Sequence, residues 1–291
     1  TPDRVADFSS RGPGVGLTLK PDIAAPGVNI LSQGYTAGAA GEARHLGFGQ
    51  ASGTSMAAPH VAGAAALLQQ RYPSWEPAWI KSALMTTAKY VDIYTAEGQP
   101  AQPLDIGAGR LDMAKAFDPG VIIDPPSVSY GMMAITGQAT ATLTLRNISQ
   151  SQETYTVTTR STANGFDNET AAVAGVTVNP SSISLAPSAS ATVTITFTAA
   201  AGKGVGDNQG YVVFTGSGGH AAHVPLWARV KPANKNKVLL VDNDVSSFYT
   251  TEDYRAYYTQ ALDALAISYD VLDVDNLVDG SATIFLPEAA E

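Results

Sequence analysis

Ala51-Ser52-Gly53-Thr54-Ser55-Met56-Ala57-Ala58-Pro59-His60-Val61-Ala62-Gly63 is the stretch on which the fold of this chain turns. A turn of small residues leads straight into a helical pattern that continues to about Arg71. That helix is apolar nearly all round, through Val61, Ala62, Ala64, Ala65, Ala66, Leu67 and Leu68, so it is predicted to be buried in a sizeable domain. Its side chains are mostly Ala and Gly, which lets neighbouring backbone approach closely. A serine at the start of such a helix lies beside amides that lack an intrahelical acceptor, at the positive end of the dipole. Both features favour a developing oxyanion. Standing alone, Gly-x-Ser before a helix reads as a plain N-cap.

Other blocks accompany it. Gly53–Gly63 closely resembles the nucleophile motif of the subtilisin-like serine proteases (subtilases, peptidase family S8). Val5-Ala6-Asp7-Phe8-Ser9-Ser10-Arg11-Gly12-Pro13 and Lys20-Pro21-Asp22-Ile23-Ala24-Ala25-Pro26-Gly27-Val28-Asn29-Ile30-Leu31 match in the family's order. Gly107-Ala108-Gly109-Arg110-Leu111-Asp112 resembles the block that closes the family's catalytic domain. The second block is most similar to the cucumisin- and lactocepin-like branches, which commonly carry a fibronectin-III-like domain after the protease.

The resemblance implies peptide-bond hydrolysis through an acyl-enzyme, with protein or peptide substrates. Ser55 is the implied nucleophile, and its amide is one oxyanion-hole donor. Thr54 matches a position that supports the hole, while Ser52, Gly53 and Met56 line the cleft. The family's triad Asp and His stand in Asp-Thr/Ser-Gly and His-Gly-Thr contexts, and neither occurs in these residues. The oxyanion-hole Asn also has no counterpart. His60 follows Ser55 by five residues, about 140° around the helix, so it is expected to be a buried, hydrogen-bonded structural residue. The resemblance gives His45 no role, and His220 and His223 are expected on the surface of a β-domain. The chain is therefore expected to be inactive alone, as the C-terminal part of a catalytic domain that lacks its N-terminal partner segment. Residues 1–118 are then expected to expose a large apolar face. The resemblance also allows a structural calcium, but no residues here match a site for one.

Composition bounds the rest. Of 291 residues 45% are hydrophobic, enough for a core, and Lys plus Arg number 17 against 26 Asp plus Glu, a net charge of −9. That balance argues against nucleic acid or an anionic membrane as the main partner, and no stretch approaches the roughly 20 apolar residues of a membrane span. With Cys at zero there are no disulfides, thiolate metal sites or cysteine nucleophile. The lack of Cys, together with the family, points to a secreted or cell-surface protein of bacterial origin.

The predicted architecture is multidomain, an incomplete α/β subtilisin-like domain (1–118), an all-β immunoglobulin/fibronectin-III-like sandwich (119–232) and a partial α/β module (233–291). The middle segment rests on Thr192-Val193-Thr194-Ile195-Thr196-Phe197-Thr198, where every second residue is apolar, so Val193, Ile195 and Phe197 face a core and the threonines face water. Alternation recurs in 140–145, 155–159, 176–178, 183–185 and 223–230, with turn formers between, including Asn147, Asn164-Gly165 and Gly202–Gly206. Short strands at this spacing imply an antiparallel sandwich held by its apolar faces. The last segment reads as a strand at 238–241, a helix striped by Tyr254, Tyr257, Tyr258, Ala261, Leu262 and Leu265, and a second strand at 268–274. Asp242 and Asp244 close its first strand, where open α/β sheets place ligands, although solvated carboxylates and a helix cap just past the strand are the better explanation of them.

Gly12, Gly14 and Gly16 precede no helix and do not read as a nucleotide loop. Asn147-Ile148-Ser149 and Asn168-Glu169-Thr170 fit the N-glycosylation pattern. The rival to a protease segment is a non-catalytic surface or adhesion protein that keeps a degenerate protease remnant beside an Ig-like binding module.

Overall fold

The computed structural model describes residues 3–36, 45–162, 171–231, 238–242 and 255–273. It divides into two compact units, Thr1–Lys231 and Pro232–Glu291.

In the first unit, an antiparallel hairpin of β1 (Ile30–Thr36) and β2 (His45–Ala51) precedes α1 (Thr54–Arg71). Then come α2 (Pro77–Thr86) and two single-turn helices, α3 (Pro103–Ile106) and α4 (Met113–Ala116). Only Ala64 and Leu68 are buried along α1. They pack with Trp75, Ile80, Ala83, Leu84, Ala116 and Ile122. The expectation of burial all round is thus corrected. Short neighbouring elements cover one side of α1, and Leu67 on another is 48% exposed. Phe8, Val28, Leu31 and Phe48 are exposed as well, so these segments present the apolar surface their composition foretold.

The chain then builds β3 (Val121–Asp124), β4 (Val128–Ala134), β5 (Gln138–Asn147), β6 (Glu153–Arg160), β7 (Val176–Asn179), β8 (Ser182–Leu185), β9 (Ser190–Thr198), β10 (Gly206–Gly216) and β11 (Ala221–Lys231). One sheet runs β3-β5-β9-β7 and the other β4-β11-β10-β6-β8. Val193 pairs with Leu143 and Ile195 with Ala141. These inward residues meet Tyr155, Val157, Val212, Phe214, Val224 and Leu226 of the other sheet, as the alternation requires. The sandwich is not wholly antiparallel, because β4 runs parallel to β11.

β10 and β11 are buried on both faces. Val212, Phe214, Val224 and Leu226 point into the sandwich. The alternate residues Tyr211, His223 and Trp227 point the other way and are covered by residues that precede the sandwich. Trp227 packs with Leu19 and Leu104, and Tyr90 lies against both Tyr211 and His223. Ser82 on α2 donates its hydroxyl to the Ile123 carbonyl at 2.7 Å and accepts the Ile123 amide at 2.9 Å. It thereby closes the free edge of β3, which would otherwise leave its backbone unpaired.

In the second unit β12 (Val238–Asp242) pairs in parallel with β13 (Tyr269–Asp273), Asp242 opposite Asp273. Between them in sequence lies α5 (Arg255–Ala264), with Tyr257 and Tyr258 exposed. Tyr254, Asp244 and Val274 lie outside the described residues, as does the Asn164-Gly165 turn.

Candidate active site

The register of β1 and β2 brings the second block back to the serine motif. Ile30 pairs with Ala51, and the ladder continues beyond the strands. The Asn29 amide donates to Ser52 Oγ at 2.8 Å, and the Ser52 hydroxyl faces Asn29 Oδ1 at 3.4 Å. One step further the Gly53 amide donates to the Gly27 carbonyl at 2.8 Å. Asn29 has φ +53°, a left-handed conformation that Asn tolerates better than most residues.

Gly53 is the N-cap of α1, and its carbonyl accepts the amides of Met56 (3.0 Å) and Ala57 (3.4 Å). Thr54 and Ser55 are therefore the first two helical residues, whose N–H groups have no carbonyl one turn back. The plain N-cap explanation fails for Ser55, since the cap is Gly53 and is made without a side-chain hydrogen bond. Thr54, Ser55 and Ser52 are exposed, while Gly53 and Met56 are half-buried. An exposed hydroxyl beside free amides at a helix N-terminus has the chemistry to attack a carbonyl and hold the oxyanion that forms.

The histidines depart from expectation. His60 is exposed rather than buried, and its Nδ1 lies 2.8 Å from the Met56 carbonyl on its own helix. Little of the chain covers that face of α1, which leaves the ring at the surface. His223, expected on the surface, is 3% exposed. Its Nε2 donates to the Ala108 carbonyl at 2.6 Å, Tyr90 packs against it at a tilt with centroids 4.1 Å apart and Tyr211 meets it edge-on at 5.4 Å. Burial pushes its pKa down to about 4, the Ala108 carbonyl working against that and Lys115 with it. His220 is also largely covered. Its Nδ1 lies 2.7 Å from Glu153 and its Nε2 3.4 Å from Asp118. Strand alternation sent these side chains outward, but outward here is into another part of the same unit. His45 pairs in the hairpin with Thr36, and its side chain is outside the described residues.

The closing block is fastened to the sandwich. Tyr211 donates its hydroxyl to the Gly107 carbonyl at 3.0 Å, beside the His223–Ala108 bond. Gly107 has φ +59°, and a side chain there would run into the Pro21 and Asp22 carbonyls. The Leu104 amide donates to Gln209 Oε1 at 2.9 Å, and Leu19 to Ser129 Oγ at 2.7 Å. Sequence reasoning missed these contacts, because no motif links residues about a hundred positions apart.

Residues 1–109 match the model of the subtilase family. That segment is similar to the subtilases. Residues 133–227 match an Fn3-like domain. Among relatives, Subtilisin-like protease SBT1.6 of Arabidopsis thaliana is 45% identical over 139 residues, covering 43% of this chain and 18% of its own length. Subtilisin-like protease SBT1.3 of the same plant is 49% identical over 133 residues, covering 41% and 17%. The chain thus spans under a fifth of the relatives it matches. A solved PapD-like domain of human CEP192 aligns with 40% of this chain and 88% of its own at 17% identity and TM-score 0.32, too slight a likeness to add to the fold.

Plant relatives overturn the bacterial origin that the lack of cysteine suggested. The sandwich holds itself by its apolar core and by buried polar groups such as Asn147 and Glu153, so cysteine content carries no information about source. The glycosylation pattern at Asn147 then needs a structural answer. Asn147 is fully buried, donates to the Ser151 and Leu185 carbonyls at 2.9 Å and accepts the Ser149 amide at 2.8 Å. Asn168 lies outside the described residues. Among the described residues no three His, Asp or Glu converge as a metal site.

Proposed function

We propose that this chain is the nucleophile-bearing part of a subtilisin-like serine endopeptidase. Ser55 Oγ attacks the scissile carbonyl, the Ser55 amide binds the oxyanion, Thr54 supports that hole, and Ser52, Gly53 and Met56 line the cleft. The observation that carries this is the placing of an exposed Ser55 at the second residue of α1, on a turn pinned from the second block through Gly27 and Asn29. The triad Asp and His come from catalytic-domain sequence outside these residues, and His60, His220 and His223 are each engaged elsewhere. Loss of triad members costs several powers of ten in rate, so the chain alone is inactive. The exposed Phe8, Val28, Leu31, Phe48 and Leu67 are the apolar face on which the rest of that domain packs.

The finer architecture we propose is an incomplete α/β catalytic domain at 1–118, a fibronectin-III-like sandwich at 119–232 and a partial α/β module at 233–291. Substrates are proteins or peptides. Among the described residues no helix is long and apolar enough to cross a membrane.

A fluorophosphonate probe tests the proposal, since labelling requires an activated hydroxyl. The full-length protein should be labelled on Ser55, and Ser55→Ala should abolish it, while the 291-residue chain alone stays unlabelled. A folded full-length protein that resists the probe, or a Ser55→Ala variant that labels equally, would overturn it in favour of an adhesion module with a protease remnant.

A further inference from the structure

We infer that His223 is a positioning residue for the nucleophile turn, its ring in the sandwich holding Ala108 and, through the Asp22–Gly27 segment, the backbone from which Ser55 is presented. The effect on catalysis rests on Ser55 being the nucleophile; the mechanical coupling does not.

A continuous set of bonds carries it. His223 Nε2 donates to the Ala108 carbonyl at 2.6 Å. The Ala108 amide donates to the Asp22 carbonyl at 3.0 Å, Ala24 to Gly109 at 2.8 Å, and Leu111 to Ala24 at 2.8 Å. The closing block and the second block thus pair side by side as far as Ala24. Three residues later, past Pro26, the Gly27 carbonyl holds the Gly53 amide, two residues before Ser55. There is little slack in this path. Gly107 and Gly109 have φ +59° and +123°, with carbonyls of Pro21, Asp22 and Lys89 where side chains would stand. A side chain at Gly27 would meet the Gly53 carbonyl oxygen at 2.8 Å. A shift at Ala108 therefore passes along packed backbone and is not absorbed by it.

The ring's surroundings make the contact sensitive to protonation. Tyr90 and Tyr211 flank it, Arg160 lies over the ring of Tyr90 at 5.6 Å, and Lys115 is the cation felt at His223 itself. His220, the other histidine of β11 and its turn, is held by Glu153 and Asp118. What disfavours an imidazolium here is chiefly burial, with Lys115 adding to it and the Ala108 carbonyl opposing it. A protonated ring would keep its Nε2–H, but the buried charge is relieved only by opening the junction to water. The ring's affinity for a proton falls from the ordinary 6.5 to about 4, so the junction is at full strength above 6.5 and weakens as pH falls towards 4.

Amide hydrogen exchange on the 291-residue chain tests the coupling. Between pH 7 and pH 4, protection at Ala108 and at Gly53 should fall together, by about a hundredfold relative to His223→Gln, which stays uncharged. His223→Phe should lower protection at both at every pH, and His220→Gln should leave the acid loss in place. Gly53 protection that holds while Ala108 opens would overturn the inference, as would an acid loss that persists in His223→Gln. Should the variants fail to fold, the wild-type His223 ring and Gly53 amide followed by NMR should titrate with one midpoint; separate midpoints overturn it. In the full-length protease, the acid limb of probe labelling should move to lower pH in His223→Gln. A wild type that never labels refutes Ser55 as nucleophile and leaves the exchange result standing. Labelling with an unmoved acid limb refutes the catalytic consequence of His223.

Discussion

The amide of Gly53 donates to the carbonyl of Gly27 across 2.8 Å, and a Cβ on Gly27 would stand 2.8 Å from the carbonyl oxygen of that same Gly53. The two glycines therefore meet backbone to backbone, and the turn before Ser55 is set by a residue 26 positions earlier in the chain.

Gly27→Ala should accordingly move the turn. Overpacking of this kind costs about 1–3 kcal/mol, and here it falls on the residue that caps α1. Urea unfolding of the 291-residue chain should show that loss. Probe labelling of the full-length protein should fall further than stability alone explains, because a misplacement near 1 Å costs about a hundredfold in rate. Unchanged labelling would mean that the turn is held by other contacts.

Met56 is half-buried beside the proposed nucleophile. Its sulfur lies against the Gly53 turn. Oxidation to the sulfoxide adds a polar oxygen there, so peroxide treatment should slow labelling of Ser55 in the full-length protein. Met56→Leu, of similar volume, should resist peroxide, and equal losses in both would place the damage elsewhere.

Glu153 and His220 form a pH-dependent clasp. Burial raises the Glu153 carboxyl, but hydrogen bonds from His220, Tyr155 and the Gly218 amide outweigh it and bring the group below its ordinary 4.5. Burial lowers His220, but its bond to Glu153 and the charges of Glu153 and Asp118 outweigh that and lift it above 6.5. The carboxylate's contribution is present above 4.5 and is lost as pH falls through its lowered folded value. The imidazolium's is present below 6.5 and is lost as pH rises through its raised folded value. His220→Gln should therefore cost most between pH 4.5 and 6.5, on the order of 1.5–3 kcal/mol, and less at pH 9. A cost that does not vary with pH, measured by denaturant melts, would show that the pair acts only by packing.

Asn147 carries a glycosylation pattern but serves as a buried tie. Asn147→Ala removes three hydrogen bonds and strands the Leu185 carbonyl and its neighbours, which should cost about 2–4 kcal/mol. In a glycosylating host the folded chain should carry no glycan at this position, as peptide mass spectrometry would show. A glycan on the folded form would mean that the β5 end opens.

Much of the sandwich was legible because its strands alternate. β5, β6 and β9 bury one face on the core and show part of the other to water, so Thr and Val take turns. Gly202–Gly206 reads as a turn, and no alternation marks the strand β10 that begins at its last residue. In the structure Asn208 is buried, its side chain bonded to Lys203, Gly204 and Gly206. Both faces of that strand are covered, so period-two alternation never arises.

The primary sequence by itself determined the helix from Thr54 to Arg71, the place of Ser55 at its start, and the likeness of the first 109 residues to the subtilases. Those properties are local, carried by neighbours in the chain. Only the tertiary structure decided that His223 and Tyr211 hold the Gly107-Ala108 backbone, that Asn147 is sealed, and that Gly27 sets Gly53. A hydrogen bond between residues far apart leaves no periodic trace, because its partners are chosen by the packing of whole elements, and a histidine that faces away from one sheet is on the surface only if nothing else is folded against it.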